Sequence, residues 1–185
     1  MVIVAKFPLD FSLIMVYNTH KYNTERGTYM IRVGIGYDVH RFCENRPLII
    51  GGIAVDYKFG LEGHSDADVL VHAVADALLG AAALGDIGTH FPPSDKQYKD
   101  IDSCILLEKV TDLLYGSGYR VGNADCVIIA EEPRFAEYIP LMREKLSRIC
   151  KVPVSDFGIK ATTEEGLGLA GRGIGAKCVC VIATV

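Results

Sequence analysis

Asp38 and His40 are two residues apart in a stretch dense with strand-forming residues, so a carboxylate and an imidazole would project from the same face. His72 sits in an otherwise apolar, alanine-rich segment, and a helix there would place Asp68, His72 and Asp76 one above another at i, i+4 and i+8. One Asp and two His form a three-ligand set for Zn²⁺ that leaves a fourth position open, as in catalytic sites. Asp68 or Asp76 could then orient His72 from behind. The competing reading is a buried imidazole flanked by carboxylates for purely structural reasons. Spacing alone leaves both readings open.

Other residues suited to chemistry fall in three groups. Gly63, His64, Ser65 and Asp66 precede the expected helix, where unpaired N–H groups can receive an anion. Ordinary capping accounts for Ser65 but leaves His64 unexplained. Leu84, Gly85, Asp86, Ile87 and Gly88, with Phe91, Pro92, Pro93, Ser94 and Asp95 beyond them, form a long loop between helices, and such loops are often functional. Lys160, Ala161, Thr162, Thr163, Glu164 and Glu165 end a strand and enter a glycine-rich loop. Lysine, hydroxyls and open backbone N–H groups suit phosphate, and a carboxylate beside them suits a hard divalent cation. Gly166, Gly168 and Gly171 spell the dinucleotide-binding pattern, but the residues after them read as a strand and not a helix, so that reading is rejected. No P-loop, nucleophile elbow or H-E-x-x-H zinc helix is present.

The elements expected to hold these residues are strands at 31–39, 48–55 (broken at Gly51-Gly52), 119–130, 157–161 and 176–185. Helices are expected at 65–85, opened by Ser65 with Asp68, at 105–115 and at 135–150. They make one mixed α/β domain over residues 30–185. Residues 1–29 show no sustained period and read as a dispensable extension or a mis-called start, with Met30 as the alternative initiator. Half of the 185 residues are apolar, more than a small soluble monomer needs, so a membrane segment or a subunit interface must account for the excess. The longest apolar stretch carries His72 and Asp76 in its middle, which rejects the membrane and favours the interface. A net charge of −4, with no Lys/Arg-rich run, excludes general nucleic-acid binding but not a small anionic ligand. None of the six cysteines forms a CxxC pair; they read as small buried hydrophobes in a reducing, cytosol-like compartment.

Several blocks occur together in one order: Gly36-Tyr37-Asp38-Val39-His40-Arg41, Gly63-His64-Ser65-Asp66-Ala67-Asp68, Asp76-Ala77-Leu78-Leu79-Gly80-Ala81, Leu84-Gly85-Asp86-Ile87-Gly88 and Lys160-Ala161-Thr162-Thr163. In these the chain closely resembles the family of 2-C-methyl-D-erythritol 2,4-cyclodiphosphate synthases, over essentially all of residues 30–185. The resemblance implies a mixed sheet packed against helices, in a homotrimer with active sites between neighbouring subunits. It implies a lyase of the non-mevalonate isoprenoid pathway, cyclising 4-diphosphocytidyl-2-C-methyl-D-erythritol 2-phosphate with release of CMP, with Zn²⁺ and Mg²⁺ or Mn²⁺ as cofactors.

Carried over position by position, the resemblance makes Asp38, His40 and His72 the zinc ligands and Glu165 the ligand of the second metal. His64 and Thr163 become the groups that stabilise the transition state. Asp86, Ile87 and Gly88 would contact the methylerythritol, under a loop of Phe91, Pro92, Pro93, Ser94 and Asp95. The cytidine would lie among Ala130, Glu131, Glu132, Pro133, Arg134, Phe135 and Ala136, with Ala161 and Thr162. By the same resemblance Ser65, Glu164 and Leu169 would join the substrate contacts, and Arg172 would face the trimer's central channel. The chain departs from the family pattern at Pro93 (Asp), Arg134 (Lys), Glu164 (Thr) and Gly166 (Lys). Two alternatives are a zinc-dependent phosphoesterase and a non-catalytic trimeric protein binding a nucleotide or isoprenoid. The expected location is the bacterial cytoplasm, or a plastid-type organelle in a eukaryote.

Overall fold

The computed structural model describes residues 23–24, 27–28 and 30–185. The chain divides into two units, Met1–Met30 and Ile31–Val185. In the first, β1 (Asn23–Thr24) pairs antiparallel with β2 (Gly27–Thr28). The proposed role of residues 1–29 lies otherwise outside the described residues.

The second unit is built on a five-stranded sheet. Its strands are β3 (Ile31–Cys43), β6 (Gly60–Leu61), β7 (Tyr119–Ile129), β8 (Phe157–Thr162) and β9 (Gly173–Thr184), in the order β6-β3-β9-β7-β8. Only β7 and β8 run parallel. A separate hairpin joins β4 (Leu48–Ile50) to β5 (Ile53–Val55), turning at Gly51 and Gly52, both at positive φ. The 48–55 segment, expected as one or two strands broken at Gly51-Gly52, is thus two. The helices are α1 (Val69–Ala82), the single-turn α2 (Ile87–His90), α3 (Ser103–Gly116) and α4 (Ile139–Ile149).

Helix α1 is buried almost all round, as its uniformly apolar sequence requires, and lies against β3 and β9 with α3 beside it. Glycine makes this approach possible. A Cβ on Gly34 would stand 2.0 Å from the Ala77 carbonyl oxygen, and one on Gly36 2.0 Å from that of Ala73. Two glycines on one face of β3 meet an alanine row on α1, so helix and strand pack backbone to backbone. The inward residues of β9 (Ile174, Ala176, Cys178, Cys180, Ile182) and β7 (Val121, Ala124, Cys126, Ile128) complete the core. Five of the six cysteines are buried and all six are free, in keeping with their reading as small hydrophobes.

The opposite face of β3 is bare. Ile31, Val33 and Ile35 are 61%, 66% and 70% exposed, and Tyr37, Val39 and Val179 of β9 extend the patch. The surplus apolar residues noted in the sequence therefore include a continuous sheet face. No helix among the described residues is long and apolar enough to cross a membrane.

All three expected helix starts shift, α3 by two residues to Ser103 behind its cap Asp102, and the other two for reasons in the packing. Asp68, not Ser65, caps α1, because its carboxylate takes the N–H groups of Leu70 and Val71 and also those of Gly51 and Gly52 on the β4–β5 turn. Helix α4 starts at Ile139 rather than 135, with Pro140 in its first turn, where a missing N–H costs nothing.

Candidate metal centre

Alternation along β3 turns Asp38 and His40 to the same side, and the close packing of α1 brings His72 over them. Asp38 Oδ2 lies 2.9 Å from His40 Nε2 and 2.8 Å from His72 Nδ1, and the two ring nitrogens are 3.4 Å apart. All three ligand atoms lie within 4.8 Å of one another. Burial opposes the charge on Asp38, but hydrogen bonds and charge from His40 and His72 outweigh it and hold its pKa well below the usual carboxylate range. Burial likewise disfavours the His72 imidazolium, yet Asp38 more than compensates and raises its pKa above the ordinary histidine value. A carboxylate fixed in its ionised form beside two imidazoles is a donor set that suits a divalent transition-metal ion.

Neither Asp68 nor Asp76 orients His72 by a hydrogen bond. Asp68 is spent on the helix cap and the β4–β5 turn, while Asp76 accepts the Ile87 N–H at 2.8 Å and so anchors the start of α2. His72 Nε2 instead faces Ser103 Oγ at 2.9 Å and Ser65 Oγ at 3.2 Å. Ser103 is a His72 partner that sequence reasoning missed. It follows Asp102, which caps α3, and only the fold brings it to His72. At the start of α1, Asp68 already holds the Leu70 and Val71 N–H groups.

His40 and His72 border a cavity of about 200 Å³ lined also by His64, Ser65, Ile87, Gly88, Phe91 and Pro93, together with Tyr98 and Leu106, which had not been expected. Asp86 caps α2 through the Thr89 N–H, and Asp95 caps the turn at Lys96–Tyr98. Neither they nor Pro92 and Ser94 line this cavity.

A second cavity of about 360 Å³ gathers Ala130, Glu131, Pro133, Arg134, Phe135, Ala136, Ala161, Thr162 and Thr163, with Ile139 added by the fold. Glu132 turns aside to the Tyr57 hydroxyl at 3.3 Å. The Lys160 ammonium pairs with Asp125 at 2.5 Å, on the exposed surface. Glu164 accepts the Leu169 N–H and so braces its own loop, whereas exposed Glu165 accepts, among the described residues, the Thr163 hydroxyl at 2.9 Å. Leu169 and Arg172 line a third cavity with Val39, His40, Arg41 and Phe42. The loop containing Gly166, Gly168 and Gly171 runs directly into β9, as the rejection of a dinucleotide fold requires.

The first two cavities share no lining residue. Asp38 is level with Ala176, Ile128 and Ala161 on successive strands, so the two sites stand about 14 Å apart across three strand spacings.

Residues 31–185 match the YgbB family. The chain is 54% identical over 154 residues to the 2-C-methyl-D-erythritol 2,4-cyclodiphosphate synthase of Clostridium botulinum strain Hall, covering 82% of this chain and 99% of that protein. It is 56% identical over 154 residues to the synthase of the same name from Clostridium kluyveri, covering 82% of this chain and 94% of that one. Among solved structures, a 2C-methyl-D-erythritol-2,4-cyclodiphosphate synthase, solved also in a CDP-bound form, matches with a TM-score of 0.77 at 33% identity, over 82% of this chain and 99% of that chain. The bifunctional IspDF from Campylobacter jejuni matches with a TM-score of 0.82 at 34% identity, over 85% of this chain but 43% of that one.

Proposed function

The chain belongs to the YgbB family, and from that premise we propose that it is a lyase that cyclises 4-diphosphocytidyl-2-C-methyl-D-erythritol 2-phosphate to the 2,4-cyclodiphosphate and releases CMP. The observation that carries the reading is the convergence of Asp38, His40 and His72 beside a cavity lined by His64 and Ser65. The substrate's own 2-phosphate is the nucleophile, so no activated serine or cysteine is needed. The protein must supply proximity, in-line alignment and neutralisation of charge at phosphorus.

Asp38, His40 and His72 would hold Zn²⁺, and Glu165 would hold Mg²⁺ or Mn²⁺. Bound there, the two cations supply Lewis-acid polarisation of phosphoryl oxygens. Glu165 is favoured over Glu164 because its carboxylate is not already committed to the backbone of the loop. His64, and Thr163 once its hydroxyl turns from Glu165, would donate to oxygens that gain charge, a contribution of roughly 10²–10³ in rate per donor by analogy with oxyanion holes. Asp86, Ile87 and Gly88 would position the methylerythritol, with Asp76 anchoring them through the Ile87 N–H. The cavity between Ala130 and Ala136 and at Ala161 and Thr162 would take the cytidine, in line with the CDP-bound relative.

The reading includes a homotrimer. Within one chain the metal centre and the nucleotide cavity stand three strands apart, too far for one diphosphate to bridge, and the bare face of β3 offers the apolar surface for neighbours to bury. A subunit would then join its metal centre to the nucleotide cavity of the next. The curated relatives are bacterial, and the bacterial cytoplasm is the location proposed. Substituting His40→Ala should remove bound zinc and abolish turnover. A zinc-free variant with unchanged turnover would reject the metal assignment.

A further inference from the structure

We infer that Ser103 and Asp66 are positioning residues for His72: their hydrogen-bond relay keeps the ring proton on Nε2 and leaves Nδ1 bare for the metal. The inference rests on the metal reading given above. Asp66 is an acceptor at both oxygens. Oδ2 takes the Ser103 N–H at 3.0 Å, and Oδ1 takes the Asp68 N–H at 3.2 Å and the Ser103 hydroxyl at 2.5 Å. A serine has one proton to give. Committed to Asp66, Ser103 can offer only lone pairs to its other neighbours, His72 Nε2 at 2.9 Å and Ser65 Oγ at 3.3 Å. A lone pair opposite a ring nitrogen calls for an N–H there, and a neutral imidazole carries only one. In the metal-free chain Nδ1 shares a proton with Asp38 Oδ2; a metal ion would take the place of that proton, and the one ring proton left is then the one Ser103 holds on Nε2, with Nδ1 facing Asp38 Oδ2 and His40 Nε2.

The relay is also rigid. Ser103 is fully buried at the first position of α3, and Ser65, itself buried, is fixed by the Ala67 N–H at 3.2 Å. Hydrogen bonds to the outer nitrogen of a metal-bound histidine typically contribute 10–100-fold in metal affinity.

The test measures zinc affinity by chelator competition, and the His72 ring-nitrogen shifts of zinc-loaded wild type by NMR. Wild type should show Nε2 protonated and Nδ1 coordinated. Ser103→Ala should weaken zinc binding by about 10–100-fold, and Ser103→Thr, which keeps the hydroxyl, should return it to within about threefold. Asp66→Asn should weaken it at least as much as Ser103→Ala, because the amide N–H would donate to Ser103 and turn the hydroxyl proton toward Nε2. A folded Ser103→Ala that binds zinc within about threefold of wild type overturns the relay, as does zinc-loaded wild type with no proton on Nε2. The NMR result needs no variant, so it decides the matter even if Ser103→Ala does not fold. Wild type that binds no zinc overturns the metal reading itself.

Discussion

Gly36→Ala probes the packing on which the metal centre depends. The added Cβ would stand 2.0 Å from the Ala73 carbonyl oxygen, 2.8 Å from the Ala77 nitrogen and 2.9 Å from the Ala73 carbonyl carbon, where ordinary contact starts at 3.4 Å. All three are backbone atoms of α1, so no side chain can swing clear and the helix must retreat from β3 by about an ångström. His72 adjoins Ala73 on that helix, and Asp38 is two residues beyond Gly36 on the strand. The retreat therefore opens contacts that now measure 2.8 and 3.4 Å. Overpacking of this kind costs about 1–3 kcal/mol. For a chain of this size that lowers Tm by about 2–12 °C. Zinc affinity should fall at least about tenfold, in line with the loss seen when support for a metal-bound histidine is removed. Gly80→Ala is the control. Its Cβ meets only the Ile35 carbonyl oxygen at 3.9 Å, so it should gain up to about 1 kcal/mol of helix propensity and leave zinc binding unchanged. Differential scanning calorimetry and chelator competition read both quantities. A Gly36→Ala protein with wild-type Tm and wild-type zinc affinity would refute the packing argument.

Three further outcomes are expected. Because Asp38 raises the pKa of His72 in the folded, metal-free chain, their pairing stabilises fully below the unfolded histidine value and is lost as pH rises through the folded one. Tm of the chelated protein should therefore fall on going from pH 6 toward pH 9, and a flat profile would contradict the pairing. Asp68→Ala strips the carboxylate from four backbone N–H groups, combining loss of a cap with unsatisfied buried donors. Urea unfolding should show a loss of about 3 kcal/mol with an unchanged m-value. Ile35→Lys places a charge on the bare sheet face. Sedimentation should move from trimer to monomer with loss of turnover, while far-UV circular dichroism stays unchanged.

The three candidate metal ligands were legible because each obeys a short-range rule. Asp38 and His40 follow the two-residue alternation of a strand, and His72 is an ionisable residue in an apolar helical run. What brings them together was visible only in outline, since Gly34 and Gly36 look like any strand glycines until an alanine row is seen to pack on them. The start of α1 was misplaced because Ser65, Asp66 and Asp68 are all good caps. The choice falls to Asp68 through Gly51 and Gly52, which are sixteen or seventeen residues away. Ser103 was hidden for the same reason. Nothing local distinguishes it from a residue in the first turn of a helix, and its role exists only across 31 residues of chain. The apolar surplus, by contrast, pointed to an interface from composition alone, and the bare face of β3 supplies a surface for it.

The most direct measurement follows the purified protein with 4-diphosphocytidyl-2-C-methyl-D-erythritol 2-phosphate by ³¹P NMR, before and after chelation. The expected result is cyclodiphosphate and CMP appearing one for one, stopped by the chelator and restored by added zinc. CMP appearing without the cyclic product would make the protein a hydrolase, and turnover indifferent to the chelator would remove the metal from its centre.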